Sequence, residues 1–395
     1  MRFILIVIGL ASLVDFLSIW SIGGVRLSGI LWISFFFFSI FYLFSRPISI
    51  RNIKEYKWFL LYSVYITLRS FESKNLFYAF VDNFYSFLIV IIGVLAYHTV
   101  KVENTAEKIE NYILRSIYFP LILLIIAYLA GYLKFSELFG FIGPLGPRSV
   151  SLYFVSIISL AISSLSYDNS KKLRKLSFLS IVTGVLLIFI SLSRTAFLSL
   201  IVIFFLFSTL KFRIKKIITV IPIIFLIIFV GIKFEPFAER VNPEVYYVSP
   251  GFYTSGRATV WPVIIEEGLK HPLFGYGTGN AKVFMEENFK GVGLLPHNEY
   301  LRIFYDGGVM GLILFLSAWI QRLKKHWLFW KKRERNNDKN KAKFHLASIL
   351  GTVGILVSAI FDNVFLYVFM LVPICLIYGI CDKLEVLSKS KGKER

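Results

Sequence analysis

Cysteine is nearly missing from this 395-residue chain: there are two, Cys375 and Cys381, both in or beside its last apolar run. They show no metal-ligand spacing with a histidine along the sequence, so neither a disulfide framework nor a zinc site is expected. Charge is scarce too, at 17% of residues, and acids are the scarcer sign, with 24 Asp and Glu against 44 Lys and Arg. With 56% apolar residues and a mean hydropathy of +0.69, a water-soluble domain of this length could not cover its core. The outer loops hold no Asp-x-Asp and no His/Asp/Glu cluster at metal-ligand spacing. The chain also lacks a Walker-type loop, a dinucleotide fingerprint, an internal repeat and a low-complexity segment. Any chemistry is therefore expected to need neither metal nor cofactor.

What the chain does have is long apolar runs. A helix needs roughly 17 to 25 apolar residues to cross a bilayer, and about twelve runs approach that length. They centre on 3–21, 27–44, 56–71, 77–99, 113–133, 150–167, 177–192, 195–210, 217–233, 303–321, 345–362 and 364–381. The expected fold is an all-α polytopic membrane protein with spans one to nine in 1–233. One large outer loop with short helices then occupies 234–300, and the last three spans and a basic tail occupy 301–395. The first run, Phe3 to Trp20, has no small-residue cleavage site after it and reads as a retained span.

The net charge of +20 sits in short clusters between the runs, which is how membrane orientation is encoded rather than how nucleic acid is bound. Arg46 to Lys57, Lys171 to Lys175, Lys211 to Lys216, Arg322 to Lys343 and the tail from Lys383 fall in alternate loops. Those loops, and both termini, are expected on the cytoplasmic side. Lys331 to Lys343 reads as a solvated linker touching phospholipid headgroups.

Three arginines break the charge rule on the opposite face. Arg194 stands where two apolar runs meet with almost nothing between them, at the start of a helix; Arg257 starts the first clear helix of the large loop; Arg148 lies at the mouth of the sixth span. A helix start with a guanidinium beside it suits phosphate oxygens. His297 precedes the tenth span, and a neutral imidazole there can act as a general base. Asn298 either orients that ring or caps the helix. Gly307, Gly308 and Gly311 are expected to bring the span close to its neighbours and so fix His297.

Four motifs occur in order: Ser-Arg-Thr-Ala at 193–196, Gly-Arg-Ala-x-x-Trp at 256–261, His-Pro-Leu-Phe-Gly-x-Gly at 271–277, and His-Asn-x9-Gly-x-x-Gly at 297–311. The set resembles that of the O-antigen ligase and O-antigen polymerase superfamily. The resemblance implies a GT-C-like bundle in the bacterial inner membrane with a large periplasmic loop over the active site. By that resemblance Arg194 and Arg257 bind the diphosphate of an undecaprenyl diphosphate-linked glycan, and His297 activates the acceptor hydroxyl. The acceptor is lipid A-core for a ligase, or another lipid-linked glycan for a repeat-unit polymerase. A reading of another class is a transporter or flippase using acids in or near spans, namely Asp15, Asp82, Asp306 and Asp362.

Overall fold

The computed structural model describes residues 1–13, 17, 20–22, 25–45, 54–131, 147–211, 257–289 and 295–391. In hydrocarbon every backbone N–H and C=O must be satisfied within its own segment, so the apolar runs form helices. In chain order these are α1 (Arg2–Ser12), α2 (Leu27–Phe44), α3 (Lys57–Arg69), α4 (Leu76–Thr99), α5 (Glu103–Ser116), α6 (Tyr118–Leu129), α7 (Pro147–Tyr167), α8 (Lys171–Ser191) and α9 (Arg194–Lys211). Then follow α10 (Arg257–Gly268), α11 (Asn280–Asn288), α12 (Glu299–Arg335), α13 (Lys339–Phe361) and α14 (Val368–Lys391). The described strands are a two-residue antiparallel pair, Ser21–Ile22 with Val25–Arg26. This is an all-α polytopic membrane protein.

Among the described residues, eight candidate spans are long and apolar enough to cross a bilayer, α5 and α6 counting as one. The expected number was twelve. The runs at 3–21 and 56–71 form helices of only 11 and 13 residues, the run at 364–381 forms α14, which is not among the eight, and the run at 217–233 lies outside the described residues. α7 and α13 are buried on almost every side, whereas α2 and α8 turn Phe37, Phe41, Phe178 and Leu186 outward, as lipid-facing helices do. α4 and α14 approach so closely that a Cβ at Gly379 would lie 2.2 Å from the Gly93 carbonyl oxygen.

The described residues of the basic clusters gather at one end of the bundle. There Lys325 pairs with Glu55, Lys211 with Glu334 at 2.7 Å, and Lys343 with Asp168 at 2.8 Å and Glu110 at 2.7 Å. Lys331 to Lys343 is not the expected linker: α12 runs to Arg335 and α13 starts at Lys339 after a three-residue turn. Three of its cations, Arg333, Lys341 and Lys343, have carboxylate partners, which offsets part of their mutual repulsion. Arg333 Nε donates to Glu385 at 2.8 Å and Lys341 reaches Asp338 at 2.9 Å.

At the other end α12 is interrupted at Gly308 (φ 63°, ψ −165°). The loop 272–277 seats itself in the gap. Val309 N–H donates to the Pro272 carbonyl (2.8 Å), Tyr276 N–H to that of Tyr305 (2.9 Å) and Gly277 N–H to that of Asp306 (2.8 Å). Gly308 therefore breaks the helix rather than packing it, contrary to expectation. Gly307 and Gly311 do face a neighbour, the ring of Tyr65 on α3, whose hydroxyl donates to the Gly307 carbonyl at 2.6 Å.

A side chain at Gly308 would need a backbone conformation confined to glycine, and its Cβ would lie 2.4 Å from the Leu273 carbonyl carbon and oxygen. Gly308→Ala should lower stability by roughly 3 kcal/mol or more, read as a fall in the thermal unfolding midpoint in detergent. Gly307→Ala, whose Cβ meets the Tyr65 ring at 3.2 Å, should lose less. Equal losses in the two variants would show that the break does not depend on this backbone.

Candidate functional site

α12 opens on Leu295-Pro-His-Asn298. Asn298 is its N-cap, its side-chain oxygen accepting from Leu301 N–H at 3.0 Å, so of the two roles expected for it the capping one is seen. His297, just outside the cap, adopts φ 50°. Trp261 holds this stretch from above, its indole N–H donating to the Pro296 carbonyl at 2.8 Å. One helical turn before Trp261 on α10 stands Arg257, whose Nη2 donates to the Phe361 carbonyl at the end of α13 at 2.8 Å. The two arms of the Gly-Arg-Ala-x-x-Trp motif thus tie the start of α12 to the end of α13.

The next residue of that end, Asp362, places Oδ1 3.4 Å from His297 Nδ1, while the same oxygen accepts Asn363 N–H at 2.8 Å. Arg257 is half-buried. Burial draws its guanidinium below the usual value; the Asp362 carboxylate opposes that, and the charge of Arg194 adds to it. Arg194 therefore lies within electrostatic reach of Arg257. It starts α9 directly after Leu192 (φ 50°) and Ser193, whose hydroxyl accepts Ala196 N–H at 3.4 Å. Ser199, further along α9, meets the hydroxyl of Ser358 at 2.7 Å, which sets the start of α9 beside the end of α13.

Arg194, Arg257 and His297 are thus at one end of the bundle, opposite the basic clusters. Arg194 is exposed and His297 keeps 36% of its side chain accessible, so a ligand can reach both. Arg148 lies in the first turn of α7, and its side chain is outside the described residues. Among the described residues three other than glycine have positive φ, and two of them, Leu192 and His297, border this site. Such conformations cost of order 1–3 kcal/mol each and persist where surrounding structure imposes them.

Chemically, two guanidinium groups and a helix start make a site for an anion. An imidazole held on one nitrogen by a carboxylate leaves the other nitrogen to accept a proton.

Sequence reasoning did not pair Asp362 with His297; the 65 residues between them hid it. It also missed Arg302, which is buried one turn into α12. Arg302 pairs with Asp82 of α4, with Glu299, and with Asp306 at 3.4 Å. Asp306 accepts the N–H groups of Ala281 (2.7 Å) and Gly279 (3.2 Å), so it also caps α11. Glu299, Arg302 and Asp306 share one helical face, and that spacing was the available signal. Asp82 and Asp306, weighed as transport acids, are both engaged in this ion cluster. A small apolar core beside it, Val260, Ile264, Ala281, Met285 and Tyr305, fastens α10 and α11 onto α12.

Among the described residues, the side chains grouped closely enough to hold a metal ion are His326, His345 and Cys381, at the opposite end of the bundle.

Residues 179–316 match a family model described as O-antigen ligase. That segment contains Arg194, Arg257, His297 and all three glycines of α12, and it supports membership of the O-antigen ligase superfamily. No curated protein matches the chain.

Proposed function

We infer that this chain, a member of the O-antigen ligase superfamily and so a membrane enzyme of the glycosyltransferase type, transfers a glycan from undecaprenyl diphosphate to a sugar hydroxyl of lipid A-core. One observation carries the reading: the His297–Asp362 pair and the guanidinium groups of Arg257 and Arg194 gather at the bundle end away from the basic clusters. The positive-inside rule supports reading the basic end and both termini as cytoplasmic and this site as facing the periplasm.

In the proposed reaction Asp362 holds His297 through Nδ1, and Nε2 takes the proton of the acceptor hydroxyl. The oxygen attacks the anomeric carbon as its bond to the diphosphate breaks. That carbon inverts, and the electron pair leaves with undecaprenyl diphosphate. Arg194 and Arg257 stabilise the charge that grows on the leaving diphosphate, the part a divalent cation plays in other phosphate sites. Only some of the five N–H donors of Arg257 are needed for the Phe361 carbonyl, so its fork keeps donors for phosphate. Arg148 is proposed as a further phosphate ligand from its place at the same end of α7.

Lipid-linked and lipid A-linked glycans of a strain lacking this chain test the assignment. Long glycans should accumulate on the carrier while lipid A-core stays bare. Lipid A-core carrying single repeat units would instead identify a repeat-unit polymerase that uses the same donor and a second lipid-linked glycan as acceptor.

A further inference from the structure

His326 on α12, His345 on α13 and Cys381 on α14 are buried together, each with a possible ligand atom within 4.8 Å of the others. His326 lies 17 residues past Val309, the first residue after the break in α12, about 26 Å along the helix, so this cluster is remote from His297. The Nδ1 atoms of the two histidines face each other at 3.0 Å. His345 Nε2 lies 3.1 Å from Glu385 Oε1, and donation to that carboxylate leaves the lone pair of His345 on Nδ1, toward His326. A hydrogen bond between the rings would therefore have to come from His326 Nδ1–H. It would leave His326 Nε2, which is buried and without a partner, as a bare acceptor in the interior.

We propose that His326, His345 and Cys381 bind a soft d10 ion, Zn(II) or Cu(I), which staples α12, α13 and α14 at the end opposite His297. Imidazole with thiolate is the donor set these ions favour. Zinc–nitrogen bonds of about 2.0–2.1 Å in a tetrahedral site set two ligand nitrogens about 3.3 Å apart, close to the separation present. Zinc–sulfur bonds of about 2.3 Å set thiolate and imidazole about 3.5 Å apart, so from a separation of at most 4.8 Å the thiol needs to move by about 1.3 Å at most.

The surroundings are those of a metal-bound histidine, whose second nitrogen ordinarily donates to a carboxylate, as His345 can to Glu385. Both rings are fixed by stacking, His326 on Tyr378 at 5.2 Å and His345 on Phe329 at 5.4 Å. The nearby cations each have a carboxylate, Arg322 and Lys325 on Asp382 and Arg333 on Glu385, which limits their repulsion of the ion. On binding, the thiol proton leaves to solvent and the sulfur donates as thiolate. His326 then carries its remaining proton on Nε2.

The test uses the full chain in detergent. Metal content is measured after purification without added metal, and the stripped protein is then titrated with Co(II) as a zinc probe and with Cu(I) against a competing chelator. A stoichiometric ion, or a saturable thiolate-to-cobalt charge-transfer band, is expected. The band should vanish in Cys381→Ser, persist in Cys375→Ser, and require about 10–100-fold more metal in Glu385→Gln. The relative affinities of the two titrations decide between zinc and copper. The proposal is overturned if the wild-type protein takes up neither ion saturably, or if Cys381→Ser binds as tightly and with the same band. Cys375→Ser, with a buried thiol of the same helix removed, controls for damage to folding.

Discussion

Replacing His297 with alanine abolishes glycan transfer by the proposed mechanism while the protein still inserts and folds. Removal of a general base lowers rates by about 10²–10⁴-fold, and that loss should fall on kcat. His297 adopts φ 50°, so alanine there adds backbone strain to the chemical loss. Asparagine tolerates that conformation better than most residues but cannot act as a base. His297→Asn therefore separates the two effects. Transfer by purified variants in proteoliposomes, measured beside thermal unfolding in detergent, should show both inactive and the asparagine variant nearly as stable as wild type. Wild-type turnover in either would remove His297 from the mechanism.

Arg194→Lys keeps the positive charge and loses the planar fork. If Arg194 binds the departing diphosphate, the lysine variant should lose about 10²–10³-fold in kcat/KM, the scale of removing one aimed donor from a developing anion. Arg257 also holds the end of α13 through the Phe361 carbonyl, so its replacement disturbs the placement of Asp362 along with any phosphate contact. Thermal unfolding of Arg194→Lys, measured beside its activity, separates a loss of fold from a loss of binding. Full activity with lysine at this position would make it an interfacial arginine whose head reaches water, with no part in binding.

Hydropathy alone separated this chain from soluble enzymes, because the requirement for internally paired backbone in lipid leaves helices as its only regular solution. The expected orientation was read equally locally, since lysine and arginine mark loops one at a time. Arg194, Arg257, His297 and Asn298 stood out for the same reason: each sits at a helix start, and helix starts are written in a few consecutive residues. Gly308 was visible as a glycine but not as a break. Its conformation depends on the loop 272–277, some thirty residues earlier, filling the gap.

Other features depend on which helices become neighbours. Asp362 pairs with His297 across 65 residues, and Arg302 meets Asp82 across 220. In the basic stretch Lys331 to Lys343, Arg333 meets Glu385 and Lys343 meets Asp168 and Glu110, all from other segments. Two histidines and a cysteine with no shared spacing along the chain converge from α12, α13 and α14. Periodicity and composition act within a few turns of one helix, so the helices themselves could be read directly. Partners on different helices are chosen by side-chain packing between them, which no single stretch of sequence contains.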